Sequence, residues 1–213
     1  MSKKTMLIAF ATVSAMLFAL PTFASGQEIE VDPGAKTQFK VSGGASSITA
    51  AGEPTITCET MSGEGELINQ TTSTVLLDLQ ECHILQGGVT VPCHSSNAPL
   101  GNTIAFGEII HWITVNSKPG ALFTGFPKIF CGFLGIQIGG NGLIGTITAP
   151  ACSVESKTMT IKFVVNAGKQ EHMLYTTVNY DLTYTTEGGA AVTAAFQGEP
   201  KFTFGVNIKP TCK

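Results

Sequence analysis

The chain contains no arginine: all twelve basic residues are lysines, set against fifteen acidic residues. Charged residues make up only 13% of the sequence. Recognition of a phosphate backbone relies on a positive surface and on the forked donors of arginine. The sequence therefore excludes nucleic acid as a partner. One Trp and three Tyr leave few rings for sugar stacking, which disfavours a carbohydrate-binding cleft.

Long apolar runs are also scarce. One such run, from Met6 to Leu20, follows Lys3 and Lys4 and precedes Pro21 and small residues. This layout predicts a signal peptide over residues 1–24, cleaved near residues 24–26, and a secreted or cell-surface protein. Glycines divide the low-charge stretch 119–154, so we expect no transmembrane segment after signal cleavage. Its aromatic residues either fill the core, the reading we favour, or form an exposed apolar patch.

Apolar and polar residues alternate with period two along most of the chain. Valine and threonine dominate these runs, and glycine-rich turns separate them at short intervals. The pattern predicts an all-β fold: a single β-sandwich or jelly-roll-like domain of about a dozen short antiparallel strands over residues 37–213. Residues 27–36 form a polar lead-in before it.

Six cysteines, an even number, follow the predicted signal peptide and indicate a disulfide-stapled domain. Six cysteines allow fifteen pairings, and the sequence alone does not choose among them. A local bridge across one polar loop is the first expectation, with two weaker ones, giving the pairs Cys82–Cys93, Cys58–Cys131 and Cys152–Cys212.

Two of these cysteines precede histidines, as Cys82-His83 and Cys93-His94, which together match a zinc ligand set in residue type. Adjacent residues of a strand point to opposite faces, so such a pair rarely ligates one ion. We therefore expect disulfides, with no metal and no cofactor.

Acidic residues offer a second candidate site. Glu64 and Glu66 share a strand face about 7 Å apart, a spacing that suits a glycosidase pair or a calcium site. Neither has a partner cluster nearby, so a solvated turn is the simpler interpretation. Asp78, Glu81 and Glu108 are interpreted in the same way, as scattered solvated acids.

His111 and Trp112 form the only His-aromatic pair within a strong strand pattern. A single exposed Trp ring can stack on a sugar, whereas Ile110 and Thr114 on the same face fit a buried strand equally well. Burial is the favoured interpretation. No nucleophile motif or metalloprotease motif accompanies the histidines, so no catalytic residue is assigned.

Several segments resemble a group of uncharacterised exported proteins from high-GC Gram-positive (actinobacterial) soil bacteria. The resemblance spans about residues 40–206 and is carried by Thr55–Cys58, Glu81–His83 with Cys93, Leu143–Cys152, and Ser156–Ile161 with Gln170. It implies a secreted β-domain with disulfides. It supplies no activity and no catalytic residue.

The leading functional hypothesis is a secreted or cell-surface, non-enzymatic β-domain with a binding or envelope-structural role and an unknown extracellular ligand. One alternative is a secreted carbohydrate-active hydrolase using Glu64, Glu66 or Asp78. Another is a surface-fibre or adhesin-type subunit that donates residues 27–36 as a strand to a neighbour. The sequence does not predict the oligomeric state.

Overall fold

The computed structural model describes residues 28–31, 37–96, 101–115, 118–171, 174–175 and 178–211. Every regular element in these ranges is a β-strand, which confirms the all-β prediction. No helix in the described ranges is long and apolar enough to cross a membrane.

In chain order, the strands group into eight successive runs of the chain, which we call passes 1 to 8. The first four passes carry β1 (Glu28–Val31), β2 (Thr37–Gly43) and β3 (Ser46–Ala50); β4 (Ile56–Cys58) and β5 (Thr60–Asn69); β6 (Thr72–Gln80) and β7 (His83–Gln86); and β8 (Val89–Ser95) and β9 (Ile104–Val115). The last four carry β10 (Lys118–Thr124) and β11 (Lys128–Cys131); β12 (Leu134–Gly140) and β13 (Leu143–Ala149); β14 (Ser156–Lys162), β15 (Val165–Asn166), β16 (Lys169–Gln170), β17 (Leu174–Tyr175), β18 (Val178–Asn179) and β19 (Leu182–Thr186); and β20 (Val192–Gln197) and β21 (Lys201–Thr211).

These strands form two closed, eight-stranded antiparallel barrels. The first barrel has the order β21-β14-β13-β10-β9-β6-β5-β2, and β2 pairs back with β21 to close it. The second barrel has the order β11-β12-β19-β20-β3-β4-β7-β8, closed by pairing of β8 with β11. In both barrels neighbouring strands come from consecutive passes, and pass 8 lies beside pass 1. Each pass therefore contributes one strand to each barrel.

The strand register shows how the two barrels are joined. Between passes 1 and 2 the pairing Ser42↔Ser62 of the first barrel continues without a shift into Ser46↔Cys58 of the second. The ladder between passes 2 and 3 is equally continuous through Thr57↔His83. The barrels consequently stand end to end on common ladders. We call the level at which they meet the waist.

This arrangement shows that the prediction of a β-sandwich or jelly roll was wrong. Alternation with period two shows that each strand buries one face, and a sandwich and a barrel both satisfy this requirement. What separates them is closure. Here Phe39 near one end of the described chain pairs with Phe204 near the other, and no local pattern encodes that pairing.

The inward faces of the strands supply the core. In β6 the residues Ser73, Val75, Leu77 and Leu79 are buried and alternate with more exposed neighbours. Inside the first barrel, large side chains pack over glycines. The Phe39 ring, for example, occupies the position that a side chain on Gly65 would need. A single cluster of buried apolar residues extends through both barrels.

Pass 7 departs from the barrel wall between β14 and β19. Part of this excursion packs on the outer face of the first barrel, where buried Tyr180 joins Ile113, Val115, Leu122 and Ile144 in a second, smaller apolar cluster. This is why outward-facing residues of β9 and β10 are buried although they lie outside the barrel.

Strand β1 lies within the segment predicted as a polar lead-in. It pairs with the end of β21, in register from Glu28↔Thr211 to Val31↔Ile208. Ile29 is fully buried, and its backbone N–H donates to the Gln70 carbonyl oxygen at 2.8 Å. The strand proposed as a donor arm thus completes the wall of its own barrel.

Two described disulfides join Cys58 to Cys82 and Cys93 to Cys131. The predicted pairs Cys82–Cys93 and Cys58–Cys131 were therefore wrong. These four cysteines lie on passes 2, 3, 4 and 5 and are buried.

The backbone explains this choice of partners. Cys82 and Cys93 face each other in the β7–β8 hairpin, but they are joined by a backbone hydrogen bond from Cys93 N to Cys82 O at 2.8 Å. Side chains of hydrogen-bonded cross-strand pairs are farther apart than those of non-hydrogen-bonded pairs. Each cysteine bonds to its neighbour on the other side instead. Cys152 is also disulfide-bonded, and its predicted partner, Cys212, lies outside the described residues.

Candidate functional site

A cavity of about 40 Å³ lies at the waist, inside the wall. It is lined by side chains of both barrels, among them Met61 and Leu77 from the first and Ile48 and Leu182 from the second. All of its lining side chains except one are apolar. The exception is Glu108, the only titratable residue among the described residues of the lining.

The wall is interrupted beside this cavity. The ladder between β9 and β10 ends at Ile109↔Thr124, and the ladder between β8 and β11 begins only at Ser95↔Ile129. Residues 104–108 pair with pass 3 but are not paired with residues 125–128 of pass 5. We call this interruption the slot.

A chain excursion on pass 4 produces the slot. Ser95 pairs with Ile129 and Ile109 pairs with Thr124, so pass 4 has more residues between the two ladders than pass 5 has. Residues 97–100 of this segment are outside the described ranges. The excursion is closed at its base, because the Ser95 hydroxyl donates to Ala105 O and accepts from Ala105 N, both at 2.9 Å. The register of pass 4 against pass 5 therefore shifts at the waist, and three cavity-lining residues, Phe106, Phe126 and Pro127, lie along the slot.

Glu108 points into the barrel. It lies on the inward face of β9 together with Ile104, Ile110 and Trp112, and only 6% of its surface is exposed. Burial raises the pKa of its carboxyl group well above the usual range. Within the part of the chain that the structure describes, no hydrogen bond or ion pair of this carboxyl group is seen, and burial is the cause of its raised pKa.

Desolvation sets the chemical character of this site. An ionised carboxylate surrounded by apolar side chains, with no cation beside it, is strongly disfavoured, so the neutral acid persists at higher pH than in water. A neutral carboxyl group donates one hydrogen bond and accepts others. The cavity therefore offers an apolar surface with one polar group that can donate and accept.

The predicted carboxylate pair lies elsewhere. Glu64 and Glu66 are on the outer face of β5, and Asp78 is on the outer face of β6. Their inward neighbours include Gly63 and Gly65, which pack tightly against the interior. These acids lie on the outer surface of a sheet and do not converge on the cavity, and each is separated from Glu108 by the barrel wall.

Trp112 was a weak candidate for binding and is instead part of the core. It is 1% exposed, its indole Nε1 donates to Ser73 Oγ at 2.9 Å, and its ring meets Phe202 edge-on at 6.2 Å. His111 is half-buried on the opposite face of β9, and burial lowers its pKa. These two residues therefore do not form a common site.

The two Cys-His pairs do not form a metal centre. Both cysteines are in disulfides, and the His94 ring stacks on Phe130 with centroids 5.7 Å apart. His83 Nδ1 lies 3.1 Å from the Glu81 carbonyl oxygen. Among the described residues, no three His, Cys, Asp or Glu side chains are grouped as metal ligands would be.

The low-charge stretch 119–154 is mainly core, the reading favoured from the sequence. Phe123 and Ile136 are buried, whereas Phe133 is fully exposed in the turn between β11 and β12.

Sequence reasoning missed Glu108 as a functional residue. The sequence does contain a signal for it. Every second residue of one strand faces the interior, and Glu108 occupies one of these positions, which are Ile104, Phe106, Glu108, Ile110 and Trp112. The sequence interpretation grouped Glu108 with the scattered solvated acids, which was wrong, because it did not place Glu108 on the strand of His111 and Trp112. An acid within an apolar inward series is the feature that identifies the site.

Fold and site together define an eight-pass β-barrel protein with an apolar cavity and one buried acid at its waist. Comparison with known proteins adds no narrower class: no family model matches the chain, and neither a curated protein nor a solved structure matches it.

Proposed function

We propose that this chain is a secreted, non-enzymatic β-barrel that binds a small apolar ligand in the waist cavity. The observation that carries the proposal is the cavity itself, which is lined by apolar side chains and lies next to an interruption of the wall. Ligand sites are typically concave and apolar, with a few polar groups that fix orientation.

The cavity volume limits the ligand. On this measure one water molecule needs roughly 10–15 Å³, so about 40 Å³ accommodates about three water-sized groups. An apolar cavity of this size that stays empty costs about 1 kcal/mol of stability. Filling it with an apolar group recovers part of this free energy, and a larger ligand requires the slot to widen.

The chemistry of the lining favours binding over catalysis. Hydrolysis of a glycosidic bond uses two carboxyl groups on either side of the bond, and the described lining of the cavity holds a single acid. The acids of the hydrolase hypothesis lie on the outer surface. Secretion is supported by the N-terminal signal pattern and by the disulfides, which persist in oxidising compartments.

Xenon provides a direct test, because it is apolar and small enough for such a cavity. Methyl NMR spectra recorded under xenon pressure are expected to show shifts concentrated at cavity-lining residues such as Ile104, Leu143 and Leu182. Leu77→Phe, which fills the interior, is expected to abolish these shifts.

Leu76→Phe is the matched control, because Leu76 is the outward-facing neighbour and is half-exposed. It is expected to preserve the xenon response. Shifts that are absent from the wild-type protein, or that persist in Leu77→Phe, would contradict binding in the cavity.

A further inference from the structure

We propose that the ligand of the waist cavity is a compact, apolar alcohol whose hydroxyl group exchanges hydrogen bonds with the carboxyl group of Glu108. This inference rests on the proposed function and specifies the chemical class of the ligand.

The first argument is the missing partner. Glu108 is 94% buried and points into the cavity, and the other lining side chains are hydrocarbon, aromatic or thioether groups. None of these supplies a strong donor or acceptor. Buried polar groups are nearly always hydrogen-bonded, because an unmade bond in an apolar interior is costly. Because no described residue forms a hydrogen bond with the Glu108 carboxyl group, its partner is a molecule in the cavity.

The second argument selects the hydroxyl group among polar groups. A neutral carboxyl both donates and accepts, and a hydroxyl does the same, so one hydroxyl satisfies both functions. An ammonium group would have to form a buried ion pair, which requires two charges to be desolvated in an apolar cavity. A carboxylate ligand would bring an uncompensated negative charge, since none of the described lining residues is a Lys.

The third argument concerns the route into the cavity. Two glycines meet within the slot: a Cβ atom on Gly125 would lie 3.0 Å from the Gly107 carbonyl oxygen, so the two passes are in contact there with no side chain between them, and a ligand enters by separating them. Leu76, which pairs with Gly107, and Ile109 are both exposed on the outer face at this point. An apolar molecule approaching the slot therefore meets an apolar surface outside and another inside.

The test compares three probes with three heavy atoms each, the number of groups that the cavity accommodates: ethanol, chloroethane and ethylamine. Affinities are measured by methyl NMR titration at pH 6 for the wild-type protein, Glu108→Gln and Glu108→Leu. We expect the wild-type protein to bind ethanol about tenfold more tightly than chloroethane, the effect of one or two net hydrogen bonds. Glu108→Gln, which keeps a donor and an acceptor, should retain most of this preference. Glu108→Leu should lose it.

The outcomes separate the two proposals. Equal affinity of the wild-type protein for all three probes would overturn the alcohol inference and leave apolar binding intact. Tighter binding of ethylamine would also overturn it, in favour of an ion pair. Binding of none of the probes, together with no response to xenon, would refute the proposed function itself. The comparison of probes on the wild-type protein holds even where a Glu108 variant folds poorly.

Discussion

The buried acid at the waist makes the stability of this protein depend on pH in a direction opposite to that of most carboxylates. In the unfolded chain Glu108 titrates near its ordinary pKa of about 4.3. In the folded protein burial raises the pKa of Glu108, so the folded state holds its proton at pH values where the unfolded state has released it. The stability that this proton contributes is fully present below about pH 4.3 and is lost as pH rises from there through the folded pKa.

The size of the effect follows from proton linkage. While one state holds a proton that the other has released, the free energy of unfolding changes by about 1.4 kcal/mol per pH unit. Glu108→Gln removes the titrating group. The difference in the free energy of unfolding between the wild-type protein and Glu108→Gln should therefore decrease at about this rate from pH 4.5 upward, until the folded pKa is reached.

Glu108→Leu adds a second effect. It replaces an unpartnered buried carboxyl group by an apolar side chain, so it should stabilise the protein by about 1–3 kcal/mol even where the acid is neutral in both states. Its advantage over the wild-type protein should grow with pH.

Urea unfolding at half-unit steps from pH 4.5 to 8 provides the measurement. Other carboxylates titrate in both proteins and cancel from the difference. Gly205→Ala is a suitable non-titrating control, because no atom lies within 4 Å of the added Cβ. Its curve should run parallel to that of the wild-type protein. A Glu108→Gln curve parallel to the wild-type curve would refute the assignment of Glu108 as a desolvated, unpartnered acid.

Three further predictions concern packing, and urea unfolding at a fixed pH checks each of them. Gly65→Ala should lower the free energy of unfolding by about 1–3 kcal/mol, because its Cβ collides with the Phe39 ring, and an effect as small as that of Gly205→Ala would contradict this packing. Trp112→Phe should cost about 2–4 kcal/mol, since it removes indole volume and the hydrogen bond to Ser73; adding Ser73→Ala should restore about 1 kcal/mol of this loss, and strict additivity would argue against the bond. Phe133→Ser should change stability by less than about 0.5 kcal/mol, and a larger loss would show that this exposed ring packs against something.

The strands of this fold were predictable because their information is local. The predicted alternation with period two appears in the structure: Ile56 and Cys58 are buried in β4, and Val75, Leu77 and Leu79 are buried in β6. Closure was not predictable in this way. It depends on register and tilt summed over eight passes, and on the pairing of β2 with β21.

The disulfides and the site illustrate the same limit on a smaller scale. A short separation along the chain suggested Cys82–Cys93, and these residues are indeed neighbours in the hairpin. They are joined there by a backbone hydrogen bond, however, and each forms its disulfide with a cysteine of another pass. Glu108 was visible as an acid in an inward series. The interruption of strand pairing beside it follows from the change of register between the β8–β11 and β9–β10 ladders, and this change has no local signature in the sequence.

The sharing of every pass between two barrels bears on how the protein is made. Ribosomes add about 5–20 residues per second, and most domains start to fold as they emerge. Here the two barrels lack their eighth strands until β20 and β21 have been synthesised, because pass 8 closes both against pass 1. Hairpins such as β10–β13 and β5–β6 can form early, yet they carry unpaired edges for most of biosynthesis. A nascent chain of this design therefore depends on protection of its exposed edges until its last pass is available, and the two barrels reach their final state in one event.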